Sequence, residues 1–254
     1  MLINFVHINK TPNLQVMKKK SIIFIYSFLT MSVFFIFQSC SEDKNDDNNS
    51  STVTDIDGNV YNTVKIGTQT WMVENLKTTR FNDGTAIPNV TDASAWNALI
   101  TPGYCWYDNN EANKATYGAL YNWYAVNTGK LPPAGWHVAT DADWKNLEMA
   151  LGMTQDQADA TGNRGTDQGA QLKSTSGWSG GGNGTNSSGF SGFPNGYRVT
   201  VGFLGLGGMG IWWTSTERTS TGAWDRILYS YNTLVDRNDN SKACGFSVRC
   251  VKDN

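Results

Sequence analysis

The stretch Gly135-Trp136-His137-Val138-Ala139-Thr140-Asp141-Ala142-Asp143-Trp144-Lys145-Asn146-Leu147-Glu148 constrains the fold of this chain more than any other. Its first residues read as a short strand, and the rest as a helix with a capped start. Thr140 can accept a bond from the backbone three residues on while Asp143 reaches back, a capping box with Asp in place of the usual Glu. Asp141 and Asp143 also stand where the helix dipole favours negative charge. Trp144, Leu147 and Leu151 recur at helical spacing and give the helix one buried face. Gly152 then stops it.

The other segments are placed around this unit. Asp57-Gly58 is a turn signal between Val53–Ile56 and Val60–Ile66, which predicts a hairpin. Gly67-Thr68 turns the chain again into Gln69–Val73, and the alternation here fits half-buried antiparallel strands. Asp92–Leu99 reads as one short helix with Trp96 and Leu99 inward, and Tyr104–Asn110 as a strand ending in a turn. Tyr117–Val126 is predicted as the first main helix, with Leu120, Tyr121, Tyr124 and Ala125 as its stripe. Ile211–Glu217, Ala223–Tyr231 and Cys244–Val251 read as strands, with Asp236–Asn240 as a turn. On the last strand Phe246, Val248 and Cys250 share one face at period two.

Ser174–Gly210 is rich in glycine. Trp178, Phe190, Phe193, Tyr197 and Phe203 interleave those glycines, and a flexible linker would lack such groups. An ordered loop packed by its own side chains is therefore expected, of a kind that often carries function.

The front end has a different character. Residues 1–39 hold no Asp or Glu, Lys18–Lys20 form a basic region, and Ser21–Phe37 is an apolar run of seventeen residues. A basic start, an apolar core and a small residue before the cut describe a signal peptide over residues 1–39. A membrane span would need about 20 apolar residues. Cys40 directly after Ser39 resembles a bacterial lipoprotein signal, which makes Cys40 the lipid anchor and a membrane the first partner. Met17, just before the lysines, is the expected true start. Ser41–Thr52 has no large apolar residue, cannot repay its ordering entropy, and reads as a tether. An acidic tether after the lipidated Cys resembles the surface-export signal of Bacteroidota lipoproteins, which implies outward display from the outer membrane.

Removing the leader with its four lysines leaves 16 basic against 22 acidic residues, a net charge of −6. That balance argues against nucleic acid as a partner. Residues 54–254 suffice for one domain with a substantial core.

Several stretches together resemble one family. They are Asp55–Tyr61, Ile66-Gly67, Trp71–Leu76, Tyr117–Val126, Gly135–Val138, Trp212–Glu217 and Gly245–Cys250. In this order they look like the Fibrobacter succinogenes major paralogous domain, a family common in surface lipoproteins whose biochemical function is not established. The capped helix after Gly135-Trp136 and the closing Gly-Phe-x-x-Arg-Cys segment also resemble, more distantly, the formylglycine-generating branch of the C-type-lectin-like fold. That resemblance implies an α+β fold with two main helices on a twisted, mainly antiparallel sheet, the chain ends together and long Gly-rich ordered loops. It also fits a disulfide between Cys105 and Cys250, tying the last strand back to the first helix region. Cys244 and Cys250, six residues apart on one strand, would stand roughly 20 Å apart, beyond disulfide reach. Cys244 is then the odd thiol.

Enzyme and binder readings both follow from these residues. A formylglycine-type oxidase needs a reactive cysteine pair, and Cys250 matches the structural cysteine of the closing motif. A Ser-His-Asp hydrolase would need His137, the one histidine after the leader, which reads as a packed strand residue with no nucleophile elbow in sight. No cofactor is expected, and zinc lacks its ligands. The favoured expectation is a non-catalytic surface module for glycan or protein. Candidate contacts are Trp106, Tyr107, Asp108, Asn109, Trp178, Trp212, Glu217, Trp224, Asp225 and Arg226, with Trp178, flanked by glycines, the best placed for exposure. Trp71, Trp136 and Trp144 read as core. Asp236, Asn238 and Asp239 offer oxygens for calcium, although Asp-Asn turns are usually only turns. A coat or fimbria-associated protein without a small ligand is the third reading.

Overall fold

The computed structural model describes residues 51–254. The expected signal peptide, the expected start at Met17, the expected lipid anchor Cys40 and residues 41–50 of the expected tether lie outside the described residues. In chain order the strands are β1 (Thr52–Thr54), β2 (Val60–Ile66), β3 (Gln69–Met72), β4 (Tyr104–Cys105), β5 (Leu120–Tyr121), β6 (Trp136–Val138), β7 (Gly162–Arg164), β8 (Asn195–Val199), β9 (Gly202–Leu206), β10 (Met209–Glu217), β11 (Gly222–Tyr229), β12 (Val235–Ser241) and β13 (Cys250–Lys252). The α-helices are α1 (Ala93–Asn97), α2 (Lys114–Tyr117), α3 (Trp123–Val126), α4 (Asp141–Ala150), α5 (Gln155–Asp159) and α6 (Gln168–Leu172).

Five strands run β1-β2-β3-β13-β6 in one sheet, six run β7-β12-β11-β10-β8-β9 in another, and β4 pairs with β5. All pairings between strands are antiparallel except β8 with β10. The first and last strands share the five-stranded sheet, so both ends of the domain lie in one layer. Among the described residues, no helix is long and apolar enough to cross a membrane.

The central unit forms as its sequence predicts. Thr140 Oγ1 accepts from Asp143 N–H at 3.0 Å, and Asp143 Oδ2 accepts from Thr140 N–H at 2.8 Å. Gly152, at φ +106°, ends the helix. The β1–β2 hairpin, the β3 strand and helix α1 with Trp96 buried also match the sequence. The Gly-rich segment is ordered: Phe190 is fully buried and Trp178 nearly so.

Alternate residues of the central strands enter two different cores. Met72, Cys250, Ile211, Trp213 and Ile227 join one cluster. Their neighbours Trp71, Val251, Trp212 and Leu228 join a second, where α4 contributes Trp144 and Leu147. The central strands are therefore buried on both faces, which is why Trp212 and Trp213 can be adjacent and both inaccessible.

Four expectations need correction. Tyr117–Val126 is not a helix: Gly118, at φ +74°, ends α2, β5 follows, and the Asn122 side chain caps the separate single turn of α3. A Cβ at Gly118 would stand 2.7 Å from the Asn75 Cβ, so only glycine fits there. The domain thus has one ten-residue helix rather than two main helices. Asp236–Asn240 is not a turn but lies within β12, whose polar side chains are drawn into the sheet by partners on β11 and α4. The closing strand is shorter than expected, β13 following isolated bridges at Gly245, Phe246 and Ser247. Cys105 and Cys250 are not joined: both are free thiols. Cys105 packs with Trp96, Tyr107 and Leu120, whereas Cys250 pairs with Val138 in the first core, and the two clusters are separate.

Helix α4 is fastened to the six-stranded sheet by buried ion pairs. Glu148 meets Arg164 Nη2 and Arg226 Nε, both at 2.8 Å. Asp141 accepts two bonds from Arg237, each 2.8 Å, and pairs with Arg226 at 2.9 Å. Burial alone would raise the Asp141 pKa, but Arg237 and Arg226 hold it well below the usual carboxylate range.

Asp225 faces the other side of β11. It is fully buried, Asn240 Nδ2 donates to its Oδ2 at 2.7 Å, and its Oδ1 has no partner. Burial pushes its pKa up to about 7. A raised carboxyl favours folding where it is protonated. Its contribution is complete below the unfolded value near 3.8 and is lost as pH rises through about 7. Asp225→Asn is therefore expected to stabilise the protein at pH 8, by on the order of 2–4 kcal/mol, with the gain shrinking towards pH 4. Thermal melts of both proteins across this range check it; a gain independent of pH would contradict it.

Candidate functional site

Beyond Met72 the chain leaves β3 but stays tied to β2. Val73 N–H donates to Asn62 O at 2.8 Å, and Glu74 accepts from Asn62 N–H at 2.8 Å and Nδ2 at 2.7 Å. Asn75 is buried and joins three segments. Its Nδ2 donates to Tyr117 O at 2.8 Å, and its Oδ1 accepts from Trp212 Nε1 at 2.8 Å and Arg249 Nε at 2.6 Å. Arg249, just before β13, also donates to Met72 O and Phe190 O, each at 2.8 Å, and to Ser191 O at 3.1 Å.

Ser191 sits at φ +52°, a conformation that costs a non-glycine residue about 1–2 kcal/mol. The Asn186 amide holds it there, accepting from Ser191 N–H at 2.7 Å and donating to its Oγ at 2.8 Å. A strained, doubly anchored serine in a long ordered loop is a feature found at binding sites.

These segments enclose a cavity of about 390 Å³. Val73, Glu74 and Asn75 form one wall, Ala115 and Thr116 of α2 another, and Ser191 and Phe193 a third, with Arg249 at its buried side. Phe193 is half-buried, and Thr116 is exposed. A neighbouring depression of about 360 Å³, bounded by Asn59, Lys77, Glu111 and Lys114, shares Ala115 with it. The Arg249 guanidinium is desolvated, which pulls its pKa down to about 9, so it is cationic at neutral pH. The cavity thus joins hydroxyl, amide and carboxylate groups, a partly exposed ring and a buried cation.

None of the ten sequence-derived contact candidates lines this cavity. Trp106, Tyr107, Trp178 and Trp212 are core, and Trp178, expected to be exposed, is only 5 % accessible. Its indole N–H lies 3.1 Å from both Ser174 Oγ and Gly192 O, so the ring is held by the loop itself rather than by water. Asp225 and Arg226 are buried as well. Asp108 and Asn109 are exposed in left-handed conformations, and Glu217 is exposed with Lys242 at 2.7 Å. Trp224 is half-buried between the guanidinium groups of Arg218 and Arg237, 4.3 and 3.6 Å from its ring. Trp71 and Trp144 are core, and Trp136 packs partly against it.

The three calcium candidates do not converge. They lie on β12, where Asp236 and Asn238 face the opposite way to Asp239. Asp239 pairs with Arg218, and Asp236 accepts from Tyr229 Oη. Among the described residues, no group of three or more His, Cys, Asp or Glu side chains is placed to hold a metal ion.

Two of the cavity's walls come from stretches that the sequence marks as scaffold, Trp71–Leu76 and Gly245–Cys250, while Ser191 and Phe193 come from the Gly-rich loop, which the sequence did point to as a carrier of function, and Ala115 and Thr116 from a segment it did not mark. Glu74-Asn75 and Arg249, polar and charged groups set among apolar residues of core-forming segments, were the available signal. A second surface also escaped that reading. Tyr231, exposed, stacks on Tyr229 at 4.9 Å beside a hollow bounded by Lys173, Asn183 and Asn232.

No curated protein and no solved structure matches this chain. The model of the Fibrobacter succinogenes major domain (Fib_succ_major) matches residues 64–252, which takes in all of the cavity. The chain therefore belongs to the Fibrobacter succinogenes major domain family.

Proposed function

We propose that the domain is a non-catalytic module that binds glycan, carried outside the cell on a lipid anchor at Cys40. The cavity beside Arg249 is the observation that carries this reading. A sugar presents hydroxyls that need donors and acceptors together with an apolar ring face, and Thr116, Ser191, Asn75 and Phe193 offer both kinds of contact in one concave site.

Two features favour binding over catalysis. His137 has both ring nitrogens engaged, Nε2 with Asp143 at 3.0 Å and Nδ1 with Asp253 at 2.7 Å. The Asp143 bond, outweighing burial and joined by Asp253, raises its pKa to about 9, so it is cationic at neutral pH and does not serve as a base. Burial also raises the pKa of the three thiols among the described residues, to about 11 for Cys105 and Cys244, against the thiolate that oxidase chemistry requires.

The C-type-lectin-like fold belongs to this proposal. It is supported by the strand–helix unit at Gly135–Ala150 and by both ends of the domain meeting in one sheet. Outer-membrane display is supported by the basic and apolar leader, Cys40 and the acidic tether. A coat-type role is the second reading. Edge strand β9 favours it, because Leu204, Leu206 and the adjacent Val201 are exposed there on a sheet edge open to another chain.

A glycan array probed with the purified protein and with Phe193→Ala tests the glycan reading. Saturable binding that the variant loses, with unchanged melting temperature, is the expected result. No binding across plant, host and bacterial glycans would overturn it and favour the coat role.

A further inference from the structure

Arg249 differs from the arginines beneath α4. Arg164, Arg226 and Arg237 each meet a carboxylate within 3 Å. The four bonds of Arg249 all go to neutral oxygens: the Asn75 amide and the carbonyls of Met72, Phe190 and Ser191. A guanidinium has five N–H groups, so one on Nη2 lies beyond these four. Arg198 is likewise held by neutral oxygens, but the rings of Trp96 and Phe203 cover it at 4.4 and 5.0 Å. Arg249 has the Phe190 ring on one side, at 4.3 Å, and the cavity on another.

We infer that the ligand of this cavity carries a carboxylate, and that the site takes an acidic sugar such as a uronic-acid unit of a polysaccharide. The inference rests on the glycan reading above and specifies the sugar class. A buried cation with no carboxylate at ion-pair distance keeps much of its desolvation cost, offset in part by the longer-range charge of Glu74, and the remainder of its field reaches into the adjoining cavity. A carboxylate entering there would meet that charge, while its sugar hydroxyls would meet Thr116 and Ser191 and its ring face would meet Phe193.

Glu74 is the acidic group on the cavity wall. Both its oxygens are occupied by Asn62, and it faces the same cavity as Arg249. It opposes an incoming anion, so the affinity for an acidic sugar is set against its charge. Removing that charge gives a test on a partly exposed residue that does not require Arg249 itself to be replaced.

The experiment is calorimetric titration of trigalacturonate and of its neutral methyl ester into the wild-type protein and Glu74→Gln. The acid is expected to bind at least about tenfold more tightly than the ester at low salt, as for a charge-assisted contact, and to keep much of that margin at high salt, because a contact to a buried charge is screened little. Glu74→Gln is expected to widen the acid-to-ester ratio several-fold. Equal binding of acid and ester, no binding of the acid, or a ratio unmoved by Glu74→Gln would each overturn the inference. Neutral glycans still bound on the array, and lost with Phe193→Ala, would show that only the acidic assignment had failed; a silent array would remove the glycan reading itself.

Discussion

Glu148→Ala is expected to destabilise the protein by about 3–5 kcal/mol, the cost of leaving buried charge unpaired. Glu148 and Arg226 are fully buried, and Arg164 is nearly so. Without the carboxylate, Arg226 keeps Asp141, but Arg164 keeps only a contact from Nη1 to Met153 Sδ at 3.4 Å. Glu148→Gln preserves volume and is expected to lose nearly as much, because the deficit is one of charge. Joint replacement of Glu148 by Leu and of Arg164 and Arg226 by Met should restore much of the loss, since no charge is then stranded and Asp141 retains Arg237. Urea denaturation of the three proteins measures this. A loss below about 1 kcal/mol for Glu148→Ala would mean that the network is solvated in solution and does not fasten α4.

Trp144→Ala is expected to cost a similar amount, about 3–5 kcal/mol, by opening a cavity in the second core. The Trp144 ring meets Trp71 at 5.1 Å, Phe190 at 5.4 Å and Trp212 at 6.2 Å. Its effect should extend to the ligand site. Phe190 precedes Ser191, and Arg249 binds both carbonyls, so a loosened Phe190 loosens the cavity wall. Faster proteolysis within residues 174–193 is the expected sign. Trp144→Phe should cost less, because it fills part of the space and removes an indole N–H that has no partner. Equal losses for Ala and Phe would point to the helix rather than to packing.

These two residues also show how far the sequence could be read. Trp144 was legible because its evidence is local: a cap four residues before it and leucine at helical spacing after it. Glu148 stands in the same stretch, yet its partners lie 16 and 78 residues away, and no local pattern marks them. Trp212 was placed among the aromatic contacts, and a strand with one wet face would indeed expose one of two adjacent tryptophans. Burial on both faces removes that choice. Tyr117–Val126 carried a helical stripe, but Gly118 against Asn75 overrode it. At the ligand site the same limit applies. Its walls come from residues 73–75, 115–116, 191, 193 and 249, which only the tertiary fold brings together.

The most direct test of the cavity as the ligand site is chemical-shift mapping on isotopically labelled protein titrated with a glycan retained on the array. Saturable shifts at the Thr116, Ser191 and Phe193 amides and at Arg249 Nε–H are expected, with Asp108, Asn109 and Trp224 unmoved. Shifts centred on Tyr231 or Trp224, with the cavity signals unchanged, would contradict it and place the ligand elsewhere.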